Sequence, residues 1–234
     1  MSEIRISDFK MLGKASHEIP PPGPLTAIII SGLTEIEKTF GPVFTAKFIK
    51  YALQFEAQKI GEKTDKDIKT LNQLEEYLIS KSYKYPSPYC SILYAQYKTE
   101  NEFQGQTGAW TRVGHLGAIR GMSETVNSIN RNVDVDSILS KLSQVLNELK
   151  LSPREWGYKQ KGDGSVDLLL RKCYFLDACR QAYDEKVLKR PDRRLACSIA
   201  FSVAEDFKIA TGYEWDYTLL KFNKPHCIAH CYVL

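Results

Sequence analysis

The chain has 234 residues, of which 43% are hydrophobic and 26% are charged. These proportions are those of an ordinary globular protein, and they exclude wholesale disorder and collagen-like or low-complexity character. The net charge of +4 is far from the concentrated basic field of a dedicated nucleic-acid binder, so no nucleic-acid partner is expected.

The N-terminal residues match neither a secretion signal nor a membrane span. Met1–Lys10 alternates charged and apolar residues, and the most apolar run after it, Leu25–Leu33, is much shorter than the roughly 20 residues that cross a bilayer. Six cysteines in a chain of this length are too few for a disulfide-stabilised secreted scaffold. We therefore expect a cytoplasmic protein with reduced thiols and no membrane span.

The first third of the chain is predicted to be an arm followed by helices. Residues 1–24 end in the proline-rich run Pro20–Pro24, which favours extended backbone and predicts an N-terminal arm. Apolar residues then recur at spacings of three and four, and glycines interrupt the pattern, as expected for successive helices. The predicted helices are Thr26–Phe40, Val43–Ile60 and Asp67–Ser80.

The next segment predicts two strands and then two helices. Tyr89–Tyr97 is rich in aromatic and branched residues, and with Ala109–Val113 it predicts a hairpin. Helical spacing returns over Leu116–Ile129 and again over Val135–Leu149, where Asp134 is the predicted N-cap.

The C-terminal part of the chain repeats this order. Asp163 and Gly164 supply a tight turn between two strands. A short helix through Phe175 and Ala182 follows, and then a longer helix that Asp192 caps. The predicted strands of this part are Trp156–Gln160 and Val166–Leu170, followed by Trp215–Phe222 and His226–Leu234.

The predicted order is therefore three helices followed by ββααββααββ. Paired strands alternating with paired helices indicate the α+β class with a mainly antiparallel sheet. No shift in composition marks an internal linker, so residues 25–234 are predicted to form a single α+β domain that follows the arm.

Cysteine and histidine residues concentrate near the C-terminal end of the chain. Thiolates and imidazoles are ligands for zinc or an iron–sulfur cluster, so this part of the chain is the candidate metal or redox site. The residues concerned are Cys173, Cys179, Cys197, Cys227, Cys231, His226 and His230.

Strand geometry reduces the number of possible ligand sets. Cys227 and Cys231 lie on the same face of one predicted strand but about 13 Å apart, which is too far for one ion. A single site therefore takes one cysteine from each element: Cys173 from a strand–helix junction, Cys197 from the long helix and Cys227 from the last strand. A histidine or a water completes this set, while isolated burial of each thiol is the alternative.

Cys173 is also a candidate nucleophile. It ends a predicted strand just before a helix, where the helix dipole and exposed amides favour a thiolate. In an enzyme, Cys173 is then the nucleophile and His226 or His230 moves protons.

Two features of the chain resemble known families. Leu25–Lys63, with Gly41 between two apolar helices and Gly61 at the end, resembles the opening of the 4-vinyl-reductase, or hydrocarbon-binding, domain. The C-terminal block is similar too, with a cysteine at a strand end, a second in a helix and then Cys-x-x-x-Cys. That half also resembles L-2-amino-thiazoline-4-carboxylic acid hydrolase-like proteins.

The resemblance to the 4-vinyl-reductase superfamily implies an α+β fold shared with core subunits of the TRAPP tethering complex. It implies a ligand-sensing module, often with a structural zinc, and Cys173, Cys197 and Cys227 are the matching positions. The leading hypothesis is a homodimer that binds a small hydrophobic or tetrapyrrole-like ligand beside a cysteine-based metal or redox site. The alternatives are a cysteine- or metal-dependent hydrolase of a small cyclic substrate and a TRAPP-like dimeric scaffold without chemistry.

Overall fold

The computed structural model describes residues 5–14, 22–61, 67–80, 88–102, 134–148, 153, 155–173, 175–188, 194–223 and 226–234. In these ranges the helices are α1 (Pro22–Phe40), α2 (Pro42–Ile60), α3 (Leu71–Ser80), α4 (Pro88–Glu102), α5 (Val135–Glu148), α6 (Leu176–Asp184) and α7 (Ser198–Thr211). The strands are β1 (Lys10–Lys14), β2 (Glu155–Gln160), β3 (Val166–Arg171), β4 (Trp215–Asn223) and β5 (His226–Val233). All strand pairs are antiparallel, so the predicted α+β class is confirmed.

The chain divides into two compact units. The sheet unit comprises Met1–Glu18, Glu124–Tyr174 and Arg194–Leu234, and the helical unit comprises Ile19–Ser123 and Phe175–Arg193. The order ββααββααββ is not confirmed, since the predicted elements Ala109–Val113 and Leu116–Ile129 lie outside the described residues. The single domain over residues 25–234 stays a prediction.

The helical unit contains α1 to α4 and α6, and its helix ends follow local signals. Gly41 and Gly61 have φ angles of 86° and 74° and separate or end helices as predicted. Helix α3 begins at Leu71, later than predicted, because Thr70 and Gln73 cap each other: the Gln73 amide donates to Thr70 Oγ1 at 3.3 Å and Gln73 Oε1 accepts from the Thr70 amide at 3.1 Å.

Helix α4 corrects the prediction of a strand at Tyr89–Tyr97. Residues 90–95 are all buried, and α4 packs against α2 and α6, so this first part of the helix has no polar face from which a helical period could be read. Phe55 and Tyr94 pack with ring centroids 4.8 Å apart. The aromatic and branched residues of this segment therefore indicate burial in the core and not a β-strand.

The sheet unit is built on a five-stranded sheet in the order β1-β2-β3-β5-β4. The β2–β3 hairpin is confirmed, and Gly164 in its turn has a φ of 84°. Strand β1 pairs with β2, with Lys10 opposite Tyr158, so the predicted N-terminal arm contains an edge strand. Helix α1 also begins inside the range assigned to the arm, at Pro22, because proline is well tolerated in a first helical turn.

Helices α5 and α7 pack on one side of this sheet, which we call the helix-facing side. Asp134 Oδ1 accepts from the Ser137 amide at 2.8 Å, which confirms the predicted cap of α5. The predicted cap of α7 is wrong: the helix starts at Ser198, Cys197 is its N-cap, and Asp192 lies outside the described residues. Side chains alternate along each strand, so neighbouring residues lie on the helix-facing side and on the opposite side.

Gly157 allows β1 to approach β2. A Cβ atom at this position would lie 2.7 Å from the Lys10 carbonyl oxygen and 2.9 Å from Met11 Sδ. We expect Gly157→Ala to lower the free energy of unfolding by about 1–3 kcal/mol, because the backbone of β1 has to move away. Urea denaturation followed by tryptophan fluorescence measures this change. Gly162→Ala, where no atom lies within 4 Å, is the matched control, and equal stabilities of the two variants would contradict the steric explanation.

Candidate functional site

A row of mostly apolar side chains crosses the helix-facing side of the sheet. Trp156 in β2 is opposite Leu170 in β3, which is opposite Cys227 in β5, and Cys227 is opposite Phe222 in β4. We call these four residues the Trp156 row. Trp156 is 0% exposed and Cys227 is 8% exposed, so the row contributes a sulfur atom and an indole to a buried surface.

The indole N–H of Trp156 is the unusual polar group of this row. Its nitrogen is buried and has no hydrogen-bond partner in the described structure. A buried donor without an acceptor costs about 1–3 kcal/mol. Trp215, by contrast, donates its indole N–H to Thr211 Oγ1 at 3.0 Å. The side chain of Trp156 thus presents an unused donor within an apolar row.

Cys197 brings a second thiol to the helix-facing side. As the N-cap of α7, its Sγ accepts from the Ala200 amide at 3.5 Å, and its own amide donates to the hydroxyl of Tyr217 at 3.1 Å. Burial, with a smaller contribution from the nearby Cys227 thiol, raises the pKa of Cys197 to about 12. The Cys227 thiol is therefore within electrostatic range of Cys197, and the shared site of Cys173, Cys197 and Cys227 stays a prediction.

Cys231 lies on the same side of the sheet. Its Sγ donates to the Ala200 carbonyl at 3.9 Å, and burial, together with Cys197, raises its pKa. Cys227 and Cys231 thus share one face, as predicted, with Cys231 next to the first turn of α7. With raised pKa values, the thiols of Cys197 and Cys231 are protonated at neutral pH, which makes them weak nucleophiles.

The two histidines lie on the opposite side of the sheet from Cys227. His226 and His230 alternate with Cys227 and Cys231 along β5, so they point away from the helix-facing side. Neither histidine is placed to complete a ligand set with Cys197 and Cys227. Within the ranges that the structure describes, no group of three or more His, Cys, Asp or Glu side chains is arranged to hold a metal ion. The zinc or iron–sulfur cluster stays a prediction.

Cys173 lies two residues beyond the end of β3 and is partly buried. His226 is opposite Arg171 at that end of β3, whereas His230 is opposite Asp167 near its other end. Cys173 therefore follows the end of β3 that pairs with His226, whereas His230 pairs four residues further back along β3. Its role as nucleophile or ligand stays a prediction.

His230 is held by a carboxylate. Its Nδ1 lies 2.7 Å from Asp167 Oδ1, and Lys161 Nζ lies 3.0 Å from the same oxygen. A neutral His230 that donates through Nδ1 keeps Nε2 as an acceptor, which is the arrangement of a general base. The sequence offered one signal for this pair, since Asp167 is the one charged residue in the predicted strand Val166–Leu170.

Comparisons with models of protein families, with curated proteins and with solved structures found no match to this chain. No helix in the described part of the chain has both the length and the apolar character that crossing a membrane requires.

Proposed function

We propose that the sheet unit binds a small hydrophobic molecule on the helix-facing side of its sheet, as a module of the 4-vinyl-reductase type. The observation that carries this proposal is the buried and unused indole N–H of Trp156. A ligand with a carbonyl or carboxylate group would accept this hydrogen bond while its apolar part packs against the Trp156 row.

The surroundings of Trp156 support an apolar ligand. Leu170 is 2% exposed and Cys227 is mostly buried, so a molecule next to them would be removed from water. Burial of apolar surface contributes roughly 25 cal/mol per Å², and the indole donor adds orientation. Tetrapyrrole-like molecules combine these two properties, which fits the ligand class that the resemblance implies.

Cys227, a member of this row, and Cys197, the N-cap of α7, are the cysteine-based part of the proposed site. Because burial keeps the Cys197 thiol protonated, Cys197 and Cys227 contact a ligand as soft, polarisable groups. A thiophilic metal ion would have to displace the proton of Cys197, and it would need further ligands beyond these two thiols. We therefore propose ligand binding as the primary function and metal binding as a secondary one.

The hydrolase alternative has one specific observation in its favour. The contact between His230 and Asp167 orients an imidazole as a general base needs. Among the described residues, the side-chain hydrogen bond of His230 is the one from Nδ1 to Asp167, and Cys173 follows the far end of β3. Ligand binding therefore has the stronger support.

Native mass spectrometry of the protein as isolated, without chelator, tests the proposed function. We expect a retained small molecule, and the same spectrum reports any bound metal and the oligomeric state. The extracted molecule, added back to ligand-free protein, should bind Trp156→Phe about fivefold more weakly, the equivalent of a lost hydrogen bond of about 1 kcal/mol. Tryptophan fluorescence quenching measures the affinity.

Trp215→Phe is the matched control, because the indole N–H of Trp215 already has an acceptor. This variant should keep the affinity of the unmodified protein. A chain isolated without any small molecule would count against the proposal, and a ligand-free dimer would favour the scaffold instead. Equal affinities of the two tryptophan variants would remove the role assigned to Trp156.

A further inference from the structure

A pair of buried donor groups lies on the side of the sheet opposite to α5 and α7. Arg171 in β3 and His226 in β5 are cross-strand partners, so their side chains leave the sheet next to each other. The Nε atom of Arg171 and the Nδ1 atom of His226 are both buried, and neither has a hydrogen-bond partner in the part of the chain that the structure describes. Two neighbouring unsatisfied polar atoms are rare in a folded protein.

The tautomer of His226 follows from its other nitrogen. Nε2 lies 3.1 Å from Nζ of Lys221, and a lysine ammonium only donates hydrogen bonds. Nε2 is therefore the acceptor, and the ring proton is on Nδ1. Burial lowers the pKa of His226, and Lys221 and Arg171 lower it further, which keeps the ring neutral with this proton in place. Within the described ranges of the chain, Arg171 Nε–H and His226 Nδ1–H are thus two donors without acceptors.

The charges around these donors favour an anion. Glu155 accepts from Nη1 of Arg171 at 2.7 Å and pairs with Nζ of Lys172 at 3.3 Å, which fixes the far end of the guanidinium and leaves Nε directed elsewhere. Lys221 adds a third cation at His226. Arg171, Lys172 and Lys221 together carry three positive charges, and among the described residues Glu155 is the one carboxylate paired with them. This local excess of positive charge would attract a second anion.

We propose that Arg171 and His226 form a binding site for a small oxyanion, a carboxylate or a phosphate group. One oxygen accepts from Arg171 Nε and another accepts from His226 Nδ1. Lys221 supplies positive charge next to the site. Guanidinium and imidazole N–H groups are common partners of such anions, and charge-assisted hydrogen bonds are stronger than neutral ones.

This site is separate from the proposed ligand site. Arg171 and His226 alternate with Leu170 and Cys227 along their strands, so the two sites use opposite sides of the sheet. The inference rests on its own observation, the two unpaired donor atoms, and holds whether or not the Trp156 row binds a hydrophobic molecule.

The test uses inorganic phosphate and acetate as probes with the full-length protein. Ring-nitrogen NMR of the unmodified protein follows His226 while each anion is added, and His230 is the reference in the same spectrum. We expect a saturable shift of the His226 Nδ1–H signal and no matching shift of His230. Phosphate and acetate titrations separate a site for both anions from one that is selective for either.

His226→Phe removes the imidazole donor and keeps a ring that suits a strand. Isothermal titration should show at least roughly tenfold weaker anion binding, since hydrogen bonds to charged groups are among the strong ones. Lys159→Gln is the matched control, because Lys159 is an exposed cation on the same side of the sheet that pairs with Asp8 at 3.1 Å. This variant should bind as the unmodified protein does.

Three results would overturn the site. The first is the absence of a saturable change at His226 with either anion, which the unmodified protein reports even if His226→Phe does not fold. The second is equal shifts of His226 and His230, which indicate general screening by salt. The third is an equal loss of affinity in His226→Phe and Lys159→Gln.

Discussion

Asp206→Asn is expected to stabilise the protein at alkaline pH by up to about 4 kcal/mol and to change its stability little near pH 4. Asp206, in α7, is 5% exposed, and burial, with a smaller contribution from neighbouring Glu205, raises its pKa to about 7. The folded protein is therefore most stable when the carboxyl group of Asp206 is neutral.

The direction of the pH dependence follows from the two pKa values. An unfolded aspartate has a pKa of about 3.9, so the folded value is about three units higher. The stabilising contribution of the neutral form is complete below the unfolded pKa and is lost as the pH rises through about 7. Asparagine has no such transition, and the variant keeps its stability over this range.

Urea denaturation between about pH 4 and about pH 9, followed by tryptophan fluorescence, measures the effect. Asp184→Asn is the control, since Asp184 is exposed at the end of α6. Parallel stability profiles for Asp206→Asn and the unmodified protein would show that the folded-state pKa of Asp206 is not raised.

Phe207→Ala is expected to lower the free energy of unfolding by about 3–5 kcal/mol. Phe207 is 0% exposed in α7, and its ring packs against Trp215 of β4 with centroids 4.6 Å apart. Truncation removes the buried ring and leaves a cavity between helix and sheet. Since small domains are stable by only about 5–15 kcal/mol, the loss is a large fraction of the total.

The urea midpoint measures the loss of stability, and the near-ultraviolet circular dichroism measures the loss of ordered packing around Trp215. Tyr213→Ala is the control, because Tyr213 follows the same helix and is 66% exposed. A change below about 1 kcal/mol in Phe207→Ala would mean that α7 is not packed on β4 through this ring pair.

Turn residues and helix-ending glycines predicted those helices and strands whose ends depend on neighbouring residues in the chain. The β2–β3 hairpin was recoverable because Asp163–Gly164 supplies the turn, and the Lys161 amide donates to the Ser165 carbonyl at 2.8 Å to close it. Helix α4 was not recoverable, since its buried faces on several sides erase the helical period. Strand β1 was missed because a short edge strand depends on a partner far along the chain.

Most of the candidate sites depend on register, which a single sequence does not reveal. The C-terminal thiols and histidines were found from residue type alone. The pairs Arg171–His226 and Trp156–Leu170 follow from which residues face each other across the strands. A one-residue change in register would move every one of these side chains to the other face of the sheet. The unused donors of Trp156 and Arg171 had no signal in the sequence.

The pairing of β1 with β2 has a consequence for how the chain acquires its structure. Asp8 and Lys159, which meet beside these strands, are separated by 151 positions in the chain. Closing a loop of this length costs conformational entropy before the contacts between the strands form. Folding therefore slows as contacts become less local. We expect β1 to join the sheet late, so that during synthesis β1 stays unpaired at least until β2 has left the ribosome.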